Sequence, residues 1–284
     1  MTQRAADLLV NCLAAQGADR LFCVPGESYL SLLDALAGDN RIATVVCRHE
    51  GGAAMMAVAD AKLTGRAGLI ACSRGPGATN ASIGLHLAQQ DAVPMVMLIG
   101  QVSRDERGRG AFQEVDYTQF FGLMAKSVTE VTDAAKLPET VARAYRVAQS
   151  GTPGPVVIVL PEDMLEDDLS DDVTPQMLRP AAVTGPDAGA LAQVADLLAS
   201  AARPLIIAGG ALDTTQGRAA LAQLAHAHHV PVALTFKHQE IFDNSSPLYA
   251  GHLGFKIPPA HVDTLAEADL ILALGTRLGD VPTQ

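Results

Sequence analysis

The chain has 284 residues, of which 49% are hydrophobic and 18% charged, so it can bury a sizeable core and does not have the composition of a disordered protein. Its formal net charge of −11, with 20 lysine and arginine residues in no basic cluster, argues against a nucleic-acid partner. No apolar run reaches the roughly 18 uncharged residues that a membrane-spanning helix needs, so no membrane partner is expected. The four cysteines show no CxxC spacing and suit buried free thiols in a reducing compartment, for which a bacterial-type cytoplasm is the simplest location.

Short apolar runs alternate with segments of helical period through the first part of the chain. The predicted strands are RLFCV, IATVVC, GLIACS, PMVMLIG and GPVVIVL, and the segments between them include the predicted helices GGAAMMAVADAKLTG and TNASIGLHLAQQ. This alternation is typical of βαβ units. It predicts a doubly wound α/β domain, in which helices cover both faces of a parallel sheet.

Residues 166–188 lose this periodicity and gather acids, prolines and turn formers, as an interdomain linker does. After them, helices are predicted at about 188–201 and 214–228, and strands at RPLIIAGG, VPVALTF and ADLILALG. A second, Rossmann-like α/β domain therefore begins after the linker. It stops directly after its last strand, so we expect the sequence to be part of a longer protein.

Three loops follow predicted strands and are expected to meet at the carboxyl edge of the parallel sheet, where open α/β sheets bind ligands. They are VPGES at 24–28, the segment RHE that ends at Glu50, and SRGPGATN at 73–80. Glu50 could equally be a carboxylate that caps a helix, and the glycine-rich turn fits neither GxGxxG nor the Walker pattern. A fourth candidate is GRGAFQEVD at 108–116, for which a plain surface loop is the alternative.

Taken in order, VPGE, RHEGGAAMMAVADA, SRGPGATN, PMVMLIGQ, AFQEVD and GTPGPVVIVLPED resemble the pyrimidine-binding domain of the thiamine-diphosphate enzymes of the acetohydroxyacid synthase and pyruvate oxidase group. RPLIIAGGAL, PVALTFKHQEIFDNSSPLYAGHLG and ADLILALGTRLGD resemble the first part of that group's central domain. The resemblance implies a pyrimidine-binding domain at 1–165, a linker at 166–188 and part of a central domain at 189–284. The family's C-terminal domain, which holds diphosphate and magnesium through a GDG motif, has no counterpart in these residues.

By this resemblance, Glu50 contacts N1′ of the cofactor's aminopyrimidine. A carboxyl group that shares a proton with this ring nitrogen promotes loss of the proton at C2 of the thiazolium, and the cofactor supplies the electron sink. One loop of the family lies beside the pyrimidine and another near the thiazolium. The cofactor-binding residues implied in this chain are Val24, Pro25, Gly26, Glu50, Gly75, Pro76 and Asn80.

Phe112, Gln113 and Lys126 match the segment of acetohydroxyacid synthases that approaches the active site from the neighbouring subunit. Gln113 is therefore a second catalytic candidate, and Phe112 and Lys126 are candidates for substrate contact. Arg74 stands where these synthases usually have a serine, and a planar cation there would change which substrates fit. Arg74 is thus a third substrate-binding candidate, and no metal ligand is predicted in this chain.

The function implied is that of a thiamine-diphosphate-dependent 2-oxo acid decarboxylase or carboligase, an acetolactate synthase-like lyase or transferase. The chain is expected to be its N-terminal portion, inactive by itself. The cofactors implied are thiamine diphosphate and, through the absent C-terminal domain, magnesium. The partners implied are a small 2-oxo acid and further copies of the chain, in a homodimer or homotetramer with active sites shared between subunits.

FAD is an alternative cofactor that is not favoured. GHLGFKIPP stands where many of these synthases carry a flavin-contacting GMHG segment, although Gly209, Gly210 and Arg277 could face an adenine dinucleotide. Two other functional classes stay open. One is a non-catalytic binding or assembly module with this fold, and the other is a nucleotide-binding α/β protein that uses the 73–80 loop for phosphate.

Overall fold

A computed structural model of the chain describes residues 2–179 and 184–283. The chain divides into two compact units, Met1–Ala182 and Val183–Gln284. Both are α/β units with parallel sheets, one of six strands and one of four, which confirms the predicted fold class. No helix within the described ranges is long and apolar enough to cross a membrane.

The first unit alternates strands and helices almost from its start. Its elements are β1 (Thr2–Arg4), α1 (Ala5–Ala15), β2 (Arg20–Cys23), α2 (Leu30–Ala37), β3 (Ala43–Val46), α3 (Glu50–Thr64), β4 (Gly68–Cys72), α4 (Pro76–Gln90), β5 (Met95–Gln101), α5 (Tyr117–Phe121), β6 (Ser127–Glu130), α6 (Leu137–Gln149), β7 (Pro155–Pro161) and β8 (Asp168–Ser170).

The six-stranded sheet has the order β3-β2-β4-β5-β7-β6, with every pair parallel. The chain moves outward from β2 to β3 in one direction and from β4 to β5 in the other, so the strand order reverses between β2 and β4. The loops that follow these two strands border the crevice that such a reversal creates at the carboxyl edge. The topology therefore places residues 24–28 and 73–76 at the usual ligand-binding position of an open α/β sheet.

Helices pack on both faces of this sheet. One apolar cluster joins α1, α2 and α6 to the sheet, and a second joins α3, α4 and α5 to it. Because β5 and β7 are covered on both faces, all seven residues of each are buried, which explains why they are continuous apolar runs in the sequence. The helices α3 and α4 come close together, since a Cβ added to Gly84 would lie 2.2 Å from the Cβ of Ala54.

Three strands of this unit that the sequence did not predict, β1, β6 and β8, are short and polar. β6 (SVTE) is a half-buried edge strand, and β1 pairs antiparallel with β8 at positions such as Gln3 opposite Leu169. β8 falls inside the segment 166–188 that was predicted as a linker, and residues 180–183 of that segment lie outside the described residues. The exact domain boundaries stay a prediction.

The second unit contains a smaller parallel sheet. Its elements are α7 (Ala188–Ser200), β9 (Pro204–Ala208), α8 (Thr215–His228), β10 (Val232–Thr235), β11 (Tyr249–Leu253), α9 (Pro259–Glu267), β12 (Leu270–Leu274) and α10 (Asp280–Thr283). The strand order is β11-β10-β9-β12, so the order reverses between β9 and β12. The carboxyl ends of these two strands meet closely, because Gly209 N donates to Leu274 O at 2.9 Å.

Candidate active site

Glu50 is the first residue of α3, directly after the turn that follows β3. The side chain that caps this helix belongs to His49, whose Nδ1 accepts a hydrogen bond from Gly51 N at 3.0 Å. The half-buried carboxylate of Glu50 reaches instead to α4, where Asn80 Nδ2 donates to Oε2 at 3.0 Å. The capping hydrogen bond therefore does not account for Glu50, which lies between the beginnings of two helices.

The backbone around this carboxylate is built from small residues. A Cβ added to Gly77 would lie 3.4 Å from Glu50 Oε1, and one added to Gly51 would lie 3.2 Å from Asn80 O. Glycine permits a close backbone approach, so these positions keep the two helix beginnings near the carboxylate. A half-buried carboxyl group in this environment fits the ring nitrogen of an aminopyrimidine, because that nitrogen needs a partner that can share a proton.

The loop VPGES after β2 is packed against the loop after β4. A Cβ added to Gly26 would lie 2.6 Å from the Cβ of Ser73, so only glycine fits here without a shift. The fully buried Ser28 places its Oγ 2.9 Å from Ser73 Oγ and accepts from Arg74 N at 3.0 Å. Tyr29 donates its hydroxyl proton to Val24 O, which fixes the start of the loop. The structure thus brings the predicted loops of 24–28 and 73–76 together.

The segment around Gln113 lies beside the same turn. Gly75 adopts a φ of +56° and Gln113 a φ of +64°, and a Cβ added to Gly75 would lie 2.9 Å from the Cβ of Gln113. Gly75 N donates to the hydroxyl of the buried Tyr117 at 2.8 Å. Burial raises the pKa of Tyr117 to about 12, so the hydroxyl stays neutral. Gln113 is therefore held next to Gly75 within one chain, and Phe112 before it is 74% exposed.

Arg74 is only 9% exposed and makes ion pairs within its own chain. Its Nη1 lies 2.8 Å from Glu162 Oε2, and its Nη2 lies 3.2 Å from Glu27 Oε1. Glu27 belongs to the loop after β2, and Glu162 directly follows β7. The guanidinium therefore has two carboxylate partners, and the substrate contact predicted for Arg74 stays a prediction.

Lys126 lies at the other edge of the sheet. Its backbone N donates to Pro155 O, where β7 begins, and its Nζ donates to the carbonyls of Ser150 at 2.6 Å and Thr152 at 2.8 Å. Because β7 has seven residues, its two ends are about 20 Å apart. Burial lowers the pKa of the Lys126 ammonium. The structure thus does not bring Lys126 together with Glu50 in one chain.

Three residues that build this edge were missed by the sequence analysis: Ser28, Tyr117 and Glu162. Each is polar and lies near the end of a strand or the start of a short helix, which is the signal that could have found Ser28 in VPGES and Glu162 in LPED. Their partners lie far along the chain, however. Glu162 is 88 positions from Arg74, and no local pattern encodes that pairing.

The second unit holds one grouping of side chains with metal-ligand chemistry among the residues described. One ligand atom each from Asp213, His238 and Glu240 lies within 4.8 Å of the others. Asp213 is already paired with Arg218. A Cβ added to Gly210 would lie 2.4 Å from His238 Cε1, so packing against the imidazole explains this glycine. We assign no metal to this group.

Comparison with known proteins gives matches along both units. The family model described as "Thiamine pyrophosphate enzyme, N-terminal TPP binding domain" matches residues 3–136, and "Thiamine pyrophosphate enzyme, central domain" matches residues 191–284. The chain therefore belongs to the thiamine pyrophosphate enzymes. The doubly wound sheet and the loops gathered at its carboxyl edge agree with this family, as the sequence resemblance predicted.

Within this family the chain is similar to acetolactate synthase large subunits. It is 36% identical to acetolactate synthase isozyme 2 large subunit of Escherichia coli, over 97% of this chain and 50% of the relative. It is 34% identical to acetolactate synthase large subunit of Parasynechococcus marenigrum, over 98% of this chain and 46% of the relative. A probable acetolactate synthase large subunit of Methanocaldococcus jannaschii is 32% identical over 98% of this chain and 48% of its own length. The chain spans about half the length of these relatives.

Proposed function

We propose that this chain supplies the pyrimidine-binding side of the active site in a thiamine-diphosphate-dependent enzyme of the acetolactate synthase-like type. The reaction would be decarboxylation of a 2-oxo acid, with transfer of the remaining fragment to an acceptor carbonyl or its release as an aldehyde. The observation that carries the proposal is the Glu50 carboxylate, which Asn80 holds beside the glycine-rich turn after β4, where the strand order of the sheet reverses. The similarity to acetolactate synthase large subunits supports it.

In this proposal Glu50 is the acid–base residue of the chain. Its carboxyl group binds N1′ of the aminopyrimidine and holds or releases the proton at that atom, and Asn80 orients it by donating to Oε2. Val24, Pro25 and Gly26 border the pyrimidine, and Gly75 and Pro76 lie toward the reacting ring. Thiamine diphosphate, when bound, supplies the electron sink that decarboxylation requires. Its diphosphate and magnesium are assigned to a domain outside these residues.

The remaining candidates are assigned to the substrate side. Gln113 lies beside Gly75, so its amide could donate to or accept from a reacting group near the thiazolium. The exposed ring of Phe112 suits an apolar wall against a 2-oxo acid side chain. Lys126, at the opposite edge of its own sheet, could take part only from a neighbouring subunit. We therefore propose a homodimer or homotetramer in which copies share active sites, in the cytoplasm.

Flavin has no role in the proposal. Gly209 and Gly210, which could have marked an adenine-dinucleotide site, both contact protein atoms. A Cβ added to Gly209 would lie 2.7 Å from Gly275 O, and Gly210 packs against the ring of His238. Close packing of strand ends accounts for both glycines without a nucleotide.

The test is to incubate the full-length protein with a panel of 2-oxo acids and to measure the release of carbon dioxide. We expect release that requires both thiamine diphosphate and magnesium. Tight binding of thiamine diphosphate with no release from any substrate would favour the non-catalytic module instead. Binding of a nucleotide and not of thiamine diphosphate would favour the nucleotide-binding protein, and either result would refute the proposal.

A further inference from the structure

The turn between β4 and α4 is anchored at three consecutive residues. Ser73 lies against Ser28 of the loop after β2, Arg74 pairs with Glu162 at the end of β7, and Gly75 is bonded to Tyr117 of α5. These anchors come from three different elements of the first unit. The turn is therefore fixed by long-range contacts and not only by its own local hydrogen bonds.

Arg74 differs from the other two anchors because it carries a charge into a buried position. Its side chain is 10% exposed, whereas the side chain of Glu162 is 34% exposed and that of Glu27 is 64% exposed. An ion pair with a well-exposed partner contributes little, so the bond to Glu162 is the more important of the two. Removing Glu162 would leave a guanidinium buried without its main partner, which is strongly unfavourable.

Glu162 is itself placed by the sheet. Its backbone N donates to Gln101 O at 3.0 Å, which extends the pairing of β5 with β7, and Oε1 accepts from Ser103 Oγ at 3.3 Å. The carboxylate that receives Arg74 is therefore tied to the end of two fully buried central strands. This makes Glu162 a rigid reference point for the turn that contains Arg74.

The turn leads directly to the acid–base pair. Pro76 begins α4, and Asn80 in the next turn of this helix donates to Glu50. A shift of residues 73–76 would therefore move Asn80 relative to Glu50, which is anchored on α3. Arg74 itself is held from two sides: its main-chain N donates to Ser28 Oγ of the loop after β2, and its guanidinium pairs with Glu27 of that loop and with Glu162 after β7.

We propose that Arg74 is a positioning residue. Through its buried ion pair with Glu162 it fixes the turn after β4, and so holds Asn80 and Glu50 in the arrangement that receives the pyrimidine, without touching the 2-oxo acid. This inference rests on the proposed function, because it concerns the same cofactor. Arg74 then acts by holding the turn in place and not by contacting the substrate, and this role needs both Arg74 and Glu162.

The experiment measures affinity for thiamine diphosphate in the full-length protein with magnesium, together with the melting temperature, for Arg74→Met, Glu162→Gln and the double variant. Arg104→Met is the matched control, because Arg104 also pairs with two carboxylates, Asp163 and Asp167, but lies outside the loops 24–28 and 73–80. Arg74→Lys is the conservative variant. It keeps the charge, but it lacks the planar fork with which the guanidinium presents separate nitrogens to Glu27 and Glu162.

We expect each single variant to bind thiamine diphosphate about tenfold more weakly, and the double variant to be little worse than either, because the two residues act as one pair. Arg74→Lys should recover affinity to within about threefold of wild type, and Arg104→Met should bind as wild type does even if it melts lower. The KM for the 2-oxo acid, measured at saturating cofactor, should stay within about twofold of wild type in Arg74→Lys.

Several results would overturn the inference. Unchanged cofactor affinity in Arg74→Met or Glu162→Gln would do so, whether or not the melting temperature falls. A raised KM for the 2-oxo acid with unchanged cofactor affinity would indicate a substrate contact instead. If Arg74→Met does not fold, Glu162→Gln and Arg74→Lys decide between the same outcomes. Failure of the wild-type protein to bind thiamine diphosphate would instead refute the proposed function itself.

Discussion

Asn80 Nδ2 donates to Glu50 Oε2 at 3.0 Å and thereby joins the beginnings of α3 and α4. These helices follow β3 and β4, which are not neighbours in the sheet, because β2 lies between them. The bond therefore spans the carboxyl end of β2, from which the loop VPGES emerges. This pair of side chains thus joins two of the three loops that were expected to converge, and the third, VPGES, packs against the loop after β4 at Ser73.

Removal of the Asn80 amide should disturb the carboxylate without unfolding the protein. We expect Asn80→Ala to slow hydrogen–deuterium exchange at C2 of bound thiamine diphosphate about tenfold, because a hydrogen bond to a charged group is worth about 1.5 kcal/mol at such an exposed position. Ser82→Ala is the control, since the hydroxyl of Ser82 donates a hydrogen bond to Thr79 O of its own helix. Equal exchange rates in the two variants would contradict an orienting role for Asn80.

The hydroxyl of Tyr117 should stabilise the fold, because its oxygen accepts a hydrogen bond from Gly75 N. Tyr117→Phe leaves the buried N–H of Gly75 without its acceptor, at a cost of about 1–3 kcal/mol, and should lower the melting temperature by roughly 3–8 °C. Tyr145→Phe is a matched control, because the hydroxyl of Tyr145 is buried without a hydrogen-bond partner among the described residues. That control should be neutral or stabilising. A similar fall in melting temperature in both variants would mean that the hydrogen bond from Gly75 N to Tyr117 does not stabilise the protein.

The buried thiol of Cys12 should make stability depend on alkaline pH. Burial raises its pKa from 9.0 to about 12, so above pH 9 the unfolded chain loses this proton while the folded chain keeps it. The folded state then binds more protons, and its stability falls as the pH rises. Between pH 8 and pH 10.5 this thiol should remove about 2 kcal/mol from the free energy of unfolding. Other groups titrate in the same window, so the comparison with Cys12→Ala isolates the effect.

The measurement is urea unfolding of wild type and Cys12→Ala across this pH range. The alanine variant loses packing at every pH, but it lacks the titrating thiol. As the pH rises, the free energy of unfolding of wild type should therefore fall relative to that of the alanine variant. Parallel curves would show that the thiol ionises equally in the folded and unfolded chains.

Strands buried on both faces could be predicted from the sequence, whereas polar edge elements could not. β5 and β7 appear as uninterrupted apolar runs because helices cover them on both sides. β6 and the β1–β8 pair have no such run, since SVTE and TQR are half-buried or exposed, and only their partners make them strands. Local pattern carries no information about that pairing.

The same division holds at the candidate site. Glu50 and Gly75 could be singled out because each follows an apolar strand and their motifs resemble a known family. The ion pair of Arg74 with Glu162 and the bond of Gly75 to Tyr117 join residues 88 and 42 positions apart, so they emerge only when the sheet is assembled. The substrate contact predicted for Arg74 came only from its place in the motif, where the related synthases usually have a serine, and it stays a prediction.

Glu50 is central to the proposed chemistry, and Glu50→Gln isolates it. Glutamine keeps the size of the side chain and an oxygen that can accept from Asn80, but it cannot take up and release a proton as a carboxyl group does. Glu139→Gln is the matched control, because Glu139 is also a glutamate in the first turn of a helix, here α6, where it is exposed. Any loss that comes from the helix dipole alone should appear in both variants.

The most direct measurement is hydrogen–deuterium exchange at C2 of thiamine diphosphate bound to wild type, Glu50→Gln and Glu139→Gln in the full-length protein. We predict that Glu50→Gln still binds the cofactor but exchanges about 100- to 10,000-fold more slowly, the usual contribution of a positioned acid–base group, and that Glu139→Gln exchanges as wild type does. Exchange at the wild-type rate in Glu50→Gln would contradict the assignment of Glu50 as the acid–base residue of this site.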